Sequence, residues 1–264
     1  MSMTTSPRAE TDTQPDPVDS VLLPGFAAGR ENLAILKVFA GLSGPHVLDI
    51  GCYRGGATLA LALMGKRVDA ITIGAFWPRR LAPILAPRGI AATDIGFEAY
   101  TPAAPFDGIW ASHVLEHSRN PGAFLDRCRG QLKEDGWLAV VVPPFRPRVI
   151  AGHVSPGWNL GVLMYNLVAA GFDIKRGHFV THGHNVAALV PKAAGAPPRQ
   201  DDAFADRALW PFPFDRRVGF DGAMAEFNWP AEFRERMNTG LSELAVEGGE
   251  AALAAARTLA AIWV

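Results

Sequence analysis

One stretch constrains this chain more than any other. His46-Val47-Leu48-Asp49-Ile50-Gly51-Cys52-Tyr53-Arg54-Gly55-Gly56 joins a buried-strand pattern to an acid and then to a tight glycine turn. Val47, Leu48 and Ile50 are apolar and partly β-branched, as a short parallel strand requires. Gly51, Gly55 and Gly56 let the backbone turn sharply into a helix predicted over 57–64. A strand, a glycine turn and a helix make half of a nucleotide-binding unit. Asp49 refines this: a carboxylate at a strand tip repels a pyrophosphate and attracts a cationic or zwitterionic ligand.

The rest of the chain repeats the alternation. Residues 31–40 carry a broad apolar stripe and read as a helix ended by Gly41 and Gly44. Strands follow at 67–73, at 90–93 and at 106–112, with a helix at 76–86 that accepts Pro78 in its first turn and is kinked or shortened by Pro83. Asn120 is the N-cap, and Pro121 the first residue, of a helix to 132 that stops at the turn Lys133-Glu134-Asp135-Gly136. A strand at 137–142, a proline-broken loop at 143–156 and a helix at 159–170 come next. Two strands, 172–180 and 185–191, flank His182-Gly183-His184 closely enough to form a hairpin, which makes one strand antiparallel. The predicted fold is α/β, a doubly wound, mainly parallel sheet.

Residues 1–20 are polar and aperiodic and are expected to form a disordered tail, with the main domain over 21–192. A linker opens a C-terminal extension over 193–264, dense in aromatics and proline at 209–230 and helical at 232–244 and 250–263. Trp210, Phe212, Phe214 and Trp229 must be buried somewhere: under a lid over the site, in a homodimer contact, or against the sheet. With 264 residues, 49% apolar composition and a net charge of −1, the chain can bury a full α/β core. Nothing in that balance steers it towards nucleic acid or an anionic membrane, so a small-molecule partner is expected. Two distant cysteines, no signal-like apolar segment and no membrane-length apolar run predict a cytoplasmic protein without a disulfide framework.

Three motifs in order carry a family resemblance. VLDIGCYRGG, FDGIWASHVLEHSRNP and LKEDGWLAVVVPP resemble the cofactor-binding motif, the fourth-strand motif and the fifth strand of class I S-adenosylmethionine-dependent methyltransferases, over roughly residues 30–191. The resemblance implies a Rossmann-like sheet of seven strands with the last antiparallel, S-adenosylmethionine as cofactor in preference to NAD, and methyl transfer to a small acceptor. A hydroxyl of a sugar or secondary metabolite is the expected acceptor. It places cofactor contacts at Asp49, Gly51, Tyr53, Gly55, Thr72, Ile73, Asp94 and Ser112. Two positions depart from the pattern: Tyr53 stands where the turn usually has a second glycine, and Thr72 where an acid usually holds the ribose diol. Asp69 falls too early in its strand to substitute, and Asp94 is expected to help on the adenine side. These departures also motivate an alternative, a methyltransferase-like scaffold that no longer catalyses.

In a doubly wound sheet, ligands lie at the carboxyl ends of the strands, so the candidate bases come from loops there. His113, His117 and His153 are the expected catalytic residues. Glu116 belongs to the same string, and His182 and His184 lie at the hairpin tip. Helix capping by His113 and helix packing by Glu116 and His117 are equally open. His113-Val114-Leu115-Glu116-His117 also matches the HxxEH zinc-peptidase string, but no glutamate between Glu134 and Glu226 offers a third ligand. His178, His182 and His184 have metal-compatible spacing, yet a histidine-bearing strand and turn is the simpler reading, and no metal is expected. Tyr53, Tyr100 and Tyr165 are followed four residues on by alanine, so the Tyr-x-x-x-Lys pair of short-chain dehydrogenases is absent.

Overall fold

Period-two alternation along the strands decides which helices cover which face. The computed structural model describes residues 30–150, 152–155, 157–215 and 217–238. In chain order these form α1 (Arg30–Leu42), β1 (His46–Ile50), α2 (Gly56–Leu63), β2 (Arg67–Thr72), α3 (Phe76–Leu85), β3 (Ala92–Asp94) and β4 (Phe106–Ser112). Then come α4 (Pro121–Gln131), β5 (Leu132–Val142), α5 (Leu160–Ala169), β6 (His178–His182), β7 (Asn185–Pro191), α6 (Gln200–Ala205), β8 (Glu226–Phe227) and α7 (Ala231–Asn238). Leu48, Ile50, Ile109, Leu138, Val140, Val186 and Ala188 face one core with α4 and α5. Their neighbours Val47, Trp110, Ala139, Val141, Ala187 and Leu189 face the other, with α1 and α2.

The sheet runs β3-β2-β1-β4-β5-β7-β6-β8. β1 to β5 pair in parallel, and β7 enters antiparallel to β5, with Val142 opposite Val186. The start of β7 therefore lies beside the carboxyl ends of the parallel strands. The sheet has eight strands where seven were expected. β8, only two residues long, adds antiparallel to β6.

Several boundaries differ from the sequence reading, each for a local reason. β6 starts at His178 rather than 172, because Asp173 Oδ1 accepts from the Lys175 and Arg176 amides and holds a turn there. β5 starts at Leu132, so the expected turn at 133–136 is a bulge inside a strand. Leu132 pairs with Phe106 and Trp137 with Gly108, and Asp135 takes φ 60° in the extra backbone between them. β3 sits two residues later than its predicted start. α3 runs through Pro83 to Leu85. Asn120 and Asn159 cap α4 and α5, accepting from the amides of Ala123 at 3.0 Å and Val162 at 2.8 Å.

Trp210 and Phe214 are buried in the core over α4 and α5, and Trp210 Nε1 donates to the Ala203 carbonyl at 2.9 Å. Trp229 is buried in the opposite core. The predicted tail at 1–20, the second half of the helix at 232–244 and the helix at 250–263 lie outside the described residues. Cys52 and Cys128 are free and buried, and burial pushes both thiols up in pKa. Among the described residues, no helix is long and apolar enough to cross a membrane.

Candidate active site

The turn after β1 is built as its sequence requires. Gly51 and Gly55 take φ 73° and 75°, and each is also pressed by a neighbour. A Cβ on Gly51 would meet Val114 Cγ2 at 2.6 Å, and one on Gly55 would meet Leu81 Cδ2 at 2.7 Å. Tyr53 stands where a glycine was expected and adopts a glycine's conformation, φ 41°. The turn is thus preserved, and Tyr53 is 54% exposed, with the Arg54 guanidinium 5.2 Å from its ring centroid. The amides of Gly51 and Cys52 both donate to the Ile71 carbonyl, at 2.8 and 3.0 Å, which ties the turn to the tip of β2.

Asp49 lies beneath this turn at 2% exposure, accepting from Thr58 Oγ1 at 2.6 Å. Burial pushes its carboxyl up to about 6, against the lowering effect of the Thr58 hydrogen bonds. Thr58, absent from the sequence-derived set, is therefore the side chain that holds the motif acid. Its signal was its place in the first turn of the following helix.

At the tip of β2, Thr72 is buried and Ile73 is 79% exposed. Thr72 pairs in register with Asp94 on β3. The carboxylate missing from the tip of β2 is thus present one strand over, where Asp94 Oδ1 accepts from the Gly74 amide at 2.6 Å. Ile73 after β2 and Tyr53 in the turn after β1 are both exposed, and a Cβ on Gly74 would meet nothing within 4 Å. These exposed apolar side chains and the Asp94 carboxylate are chemically compatible with S-adenosylmethionine.

Ser112 ends β4, and His113 follows in a left-handed conformation, φ 54°. His113 Nε2 lies 2.9 Å from Asn185 Oδ1 at the start of β7, and Nδ1 lies 3.2 Å from Glu116 Oε1. Burial alone would lower the His113 pKa, but the Glu116 and Asn185 hydrogen bonds and the Glu116 charge together raise it. Glu116 is 0% exposed on a single 3₁₀ turn, Leu115–His117. His117 Nδ1 lies 2.7 Å from the Gly152 carbonyl, and its ring meets that of His153 edge-on at 5.0 Å. Glu116, His117 and His153 each bring one donor atom to within 4.8 Å of the others. A cleft of about 500 Å³ borders His117, between Phe97 and Glu98 on one side and Asn120 and Arg127 on the other.

The structure thus brings His113, Glu116, His117 and His153 together. His184 instead pairs with Arg146 at the hairpin, and His178 bonds the Asn228 carbonyl and stacks on Trp137. Asn185, missed in the sequence, has no local signal because it is brought to His113 only by the placement of β7 beside β5.

Sheet order, glycine turn and antiparallel β7 define a Rossmann-like fold, that of the S-adenosylmethionine-dependent methyltransferases. Within that class the chain belongs to a methyltransferase-domain family, whose model matches residues 27–176. A ubiquinone biosynthesis O-methyltransferase from Xylella fastidiosa is 35% identical over 107 residues, 38% of this chain and 42% of that protein. One from Caulobacter vibrioides is 33% identical over 108 residues, 38% of this chain and 42% of its own length. The match thus spans less than half the length of these relatives. Among solved structures, the 1,6-didemethyltoxoflavin-N1-methyltransferase of Burkholderia thailandensis has a TM-score of 0.52 at 20% identity. It covers 72% of this chain and 93% of that one, and holds 1,6-didemethyltoxoflavin and S-adenosylhomocysteine. At that identity the likeness is one of fold.

Proposed function

We propose that this protein transfers the methyl group of S-adenosylmethionine to a hydroxyl of a small-molecule acceptor. The observation that carries the reading is the ordered histidine-carboxylate group at the end of β4, next to the glycine turn of a methyltransferase-family sheet. When bound, the cofactor supplies a methyl already activated on a sulfonium, so the chain's own residues position the acceptor and manage its proton. In this reading Asp49 braces the turn through Thr58, Asp94 takes the polar contact that Thr72 cannot make, and Tyr53 and Ile73 cover the apolar side of the ligand. Ser112 contributes at the end of β4.

His113 has both ring nitrogens engaged, by Asn185 and by Glu116, so its role is to fix the β4 loop. The acceptor oxygen then meets the face carrying His117 and His153, beside the cleft that His117 borders. The relatives named as O-methyltransferases support oxygen as the acceptor atom. The preserved turn at Tyr53 and the carboxylate at Asp94 favour this enzyme reading over an inactive scaffold.

Calorimetry with S-adenosylmethionine and S-adenosylhomocysteine tests it. Binding of both is expected, weakened about tenfold or more in Asp94→Asn, as loss of a hydrogen bond to a charged group implies. Failure of both ligands to bind wild-type protein would overturn the enzyme reading. Methyl-release assays across phenols, sugars and amines then identify the acceptor atom, and turnover of amines alone would overturn the hydroxyl assignment.

A further inference from the structure

Glu116 is placed in a way that a carboxylate seldom tolerates. It is fully buried, Oε2 has no hydrogen-bond partner among the described residues, and Oε1 meets only His113 Nδ1, at 3.2 Å. An ionised carboxylate offers about four lone-pair sites and costs several kcal/mol to bury unless they are satisfied. Two imidazoles converge on the same point. His117 is fixed by the Gly152 carbonyl at 2.7 Å, which can only accept, so Nδ1 carries that proton and Nε2 is the nitrogen left to bind a ligand. A histidine oriented through one nitrogen by a backbone carbonyl, with the other nitrogen presented, is the arrangement that metal-ligating histidines adopt. His153 follows on the same loop, which is anchored to the 3₁₀ turn where the amides of Val154 and Ser155 donate to the Glu116 carbonyl, at 2.8 and 3.3 Å. Gly152 has φ 83°, and a Cβ there would come within 3.3 Å of His117 Nδ1, so both its conformation and its lack of a side chain serve this approach.

We infer that Glu116, His117 and His153 form a binding site for a divalent transition cation of the zinc class. The donor set of one carboxylate and two imidazoles suits Zn²⁺ or Co²⁺ better than Mg²⁺, which prefers an all-oxygen shell. Donor atoms about 3.3 Å apart surround a tetrahedral zinc ion. The present separations, all within 4.8 Å, thus need a modest closure, which side-chain rotation on the partly exposed His153 can supply. Three protein ligands leave a fourth position for water or another oxygen. The cation would complete the shell of the buried carboxylate and clamp residues 152–155 to the end of β4. This site lies apart from the cofactor cradle at β1 and β2; it uses the two histidines that the methyl-transfer reading turns towards the acceptor, but it stands on the cluster's own geometry and not on that reading.

Full-length protein stripped with a chelator and titrated with Co²⁺ and then Zn²⁺ tests the site. One ion per chain is expected, with the visible absorption of four-coordinate Co²⁺ and its loss on adding Zn²⁺. His153→Ala and His117→Ala should each weaken binding at least about 100-fold, the upper end of what even an outer-shell partner is worth. His184→Ala, away from the cluster, should leave affinity unchanged and so excludes capture by a surface imidazole. Glu116→Gln should also abolish binding, and His153→Ala carries the test if that buried change prevents folding. Absence of Co²⁺ and Zn²⁺ binding by wild type, or equal affinity in His153→Ala, would overturn the site. S-adenosylhomocysteine affinity measured on the same samples separates failure of the metal site from failure of the cofactor site.

Discussion

Replacing Asp49 by Asn should remove most of a stability penalty that the wild-type protein carries at neutral pH. The folded-state pKa of about 6 lies above the ordinary value of 3.8, so the native state holds this proton more tightly than the unfolded chain does. Below 3.8 both states are protonated and there is no penalty. Between 3.8 and 6 the unfolded chain ionises first, and native stability falls as pH rises. Above 6 both are ionised, and the accumulated cost is about 3 kcal/mol, the pKa difference at 1.36 kcal/mol per unit. Asp49 is almost wholly buried, so solvent screening discounts this little. Asparagine keeps an acceptor oxygen for Thr58 Oγ1 but cannot ionise. Its amide N–H groups also need partners, at a cost of about 1–3 kcal/mol where they find none. The variant should therefore be less stable than wild type near pH 4 and regain ground by roughly 2.4 kcal/mol towards pH 7. Urea unfolding of both proteins across that range isolates Asp49, because other titrating groups cancel in the difference. A wild-type-minus-variant difference that stays constant with pH would refute the argument.

Glu116→Gln removes the charge and the strong acceptor that raise His113, so an NMR titration should show its imidazole pKa falling. In wild type, the His113 contribution to stability is present below its ordinary value of 6.5 and is lost as pH rises through the higher folded value. An unmoved titration in the variant would remove Glu116 as the cause. Tyr53→Gly should relieve about 1 kcal/mol of left-handed strain while weakening S-adenosylhomocysteine, and thermal unfolding with and without ligand reads both effects. Gly55→Ala should cost about 2 kcal/mol or more, because it adds left-handed strain to a Cβ pressed against Leu81; an unchanged melting temperature would contradict the packing described.

The elements most legible in the sequence were those bounded by sharp chemical changes. β4 and β7 match their predicted limits because apolar runs there end abruptly at histidine or a following lysine, and Val47, Leu48 and Ile50 lie in β1 as expected. Residues 133–136 have turn composition, and they do leave the regular ladder, but pairing of Leu132 with Phe106 keeps them inside β5. Phe172 and Ile174 alternate as in a strand, yet the side chain of Asp173 satisfies the local amides first. β8 was illegible because two residues carry no period. At the site, the spacing of His113, Glu116 and His117 was visible, whereas their meetings with Asn185 and His153 depend on strand order and on the bonds that hold Val154 and Ser155 to the Glu116 carbonyl.

β8 also bears on how the chain is made. Until Glu226 and Phe227 have been synthesised, the outer rim of β6 presents unpaired amides and carbonyls from Phe179, Val180 and Thr181, ready to recruit strands from other nascent chains. The polypeptide thus completes its parallel core well before it can close its last edge, and a ribosome stalled between those two points would release a product prone to aggregate.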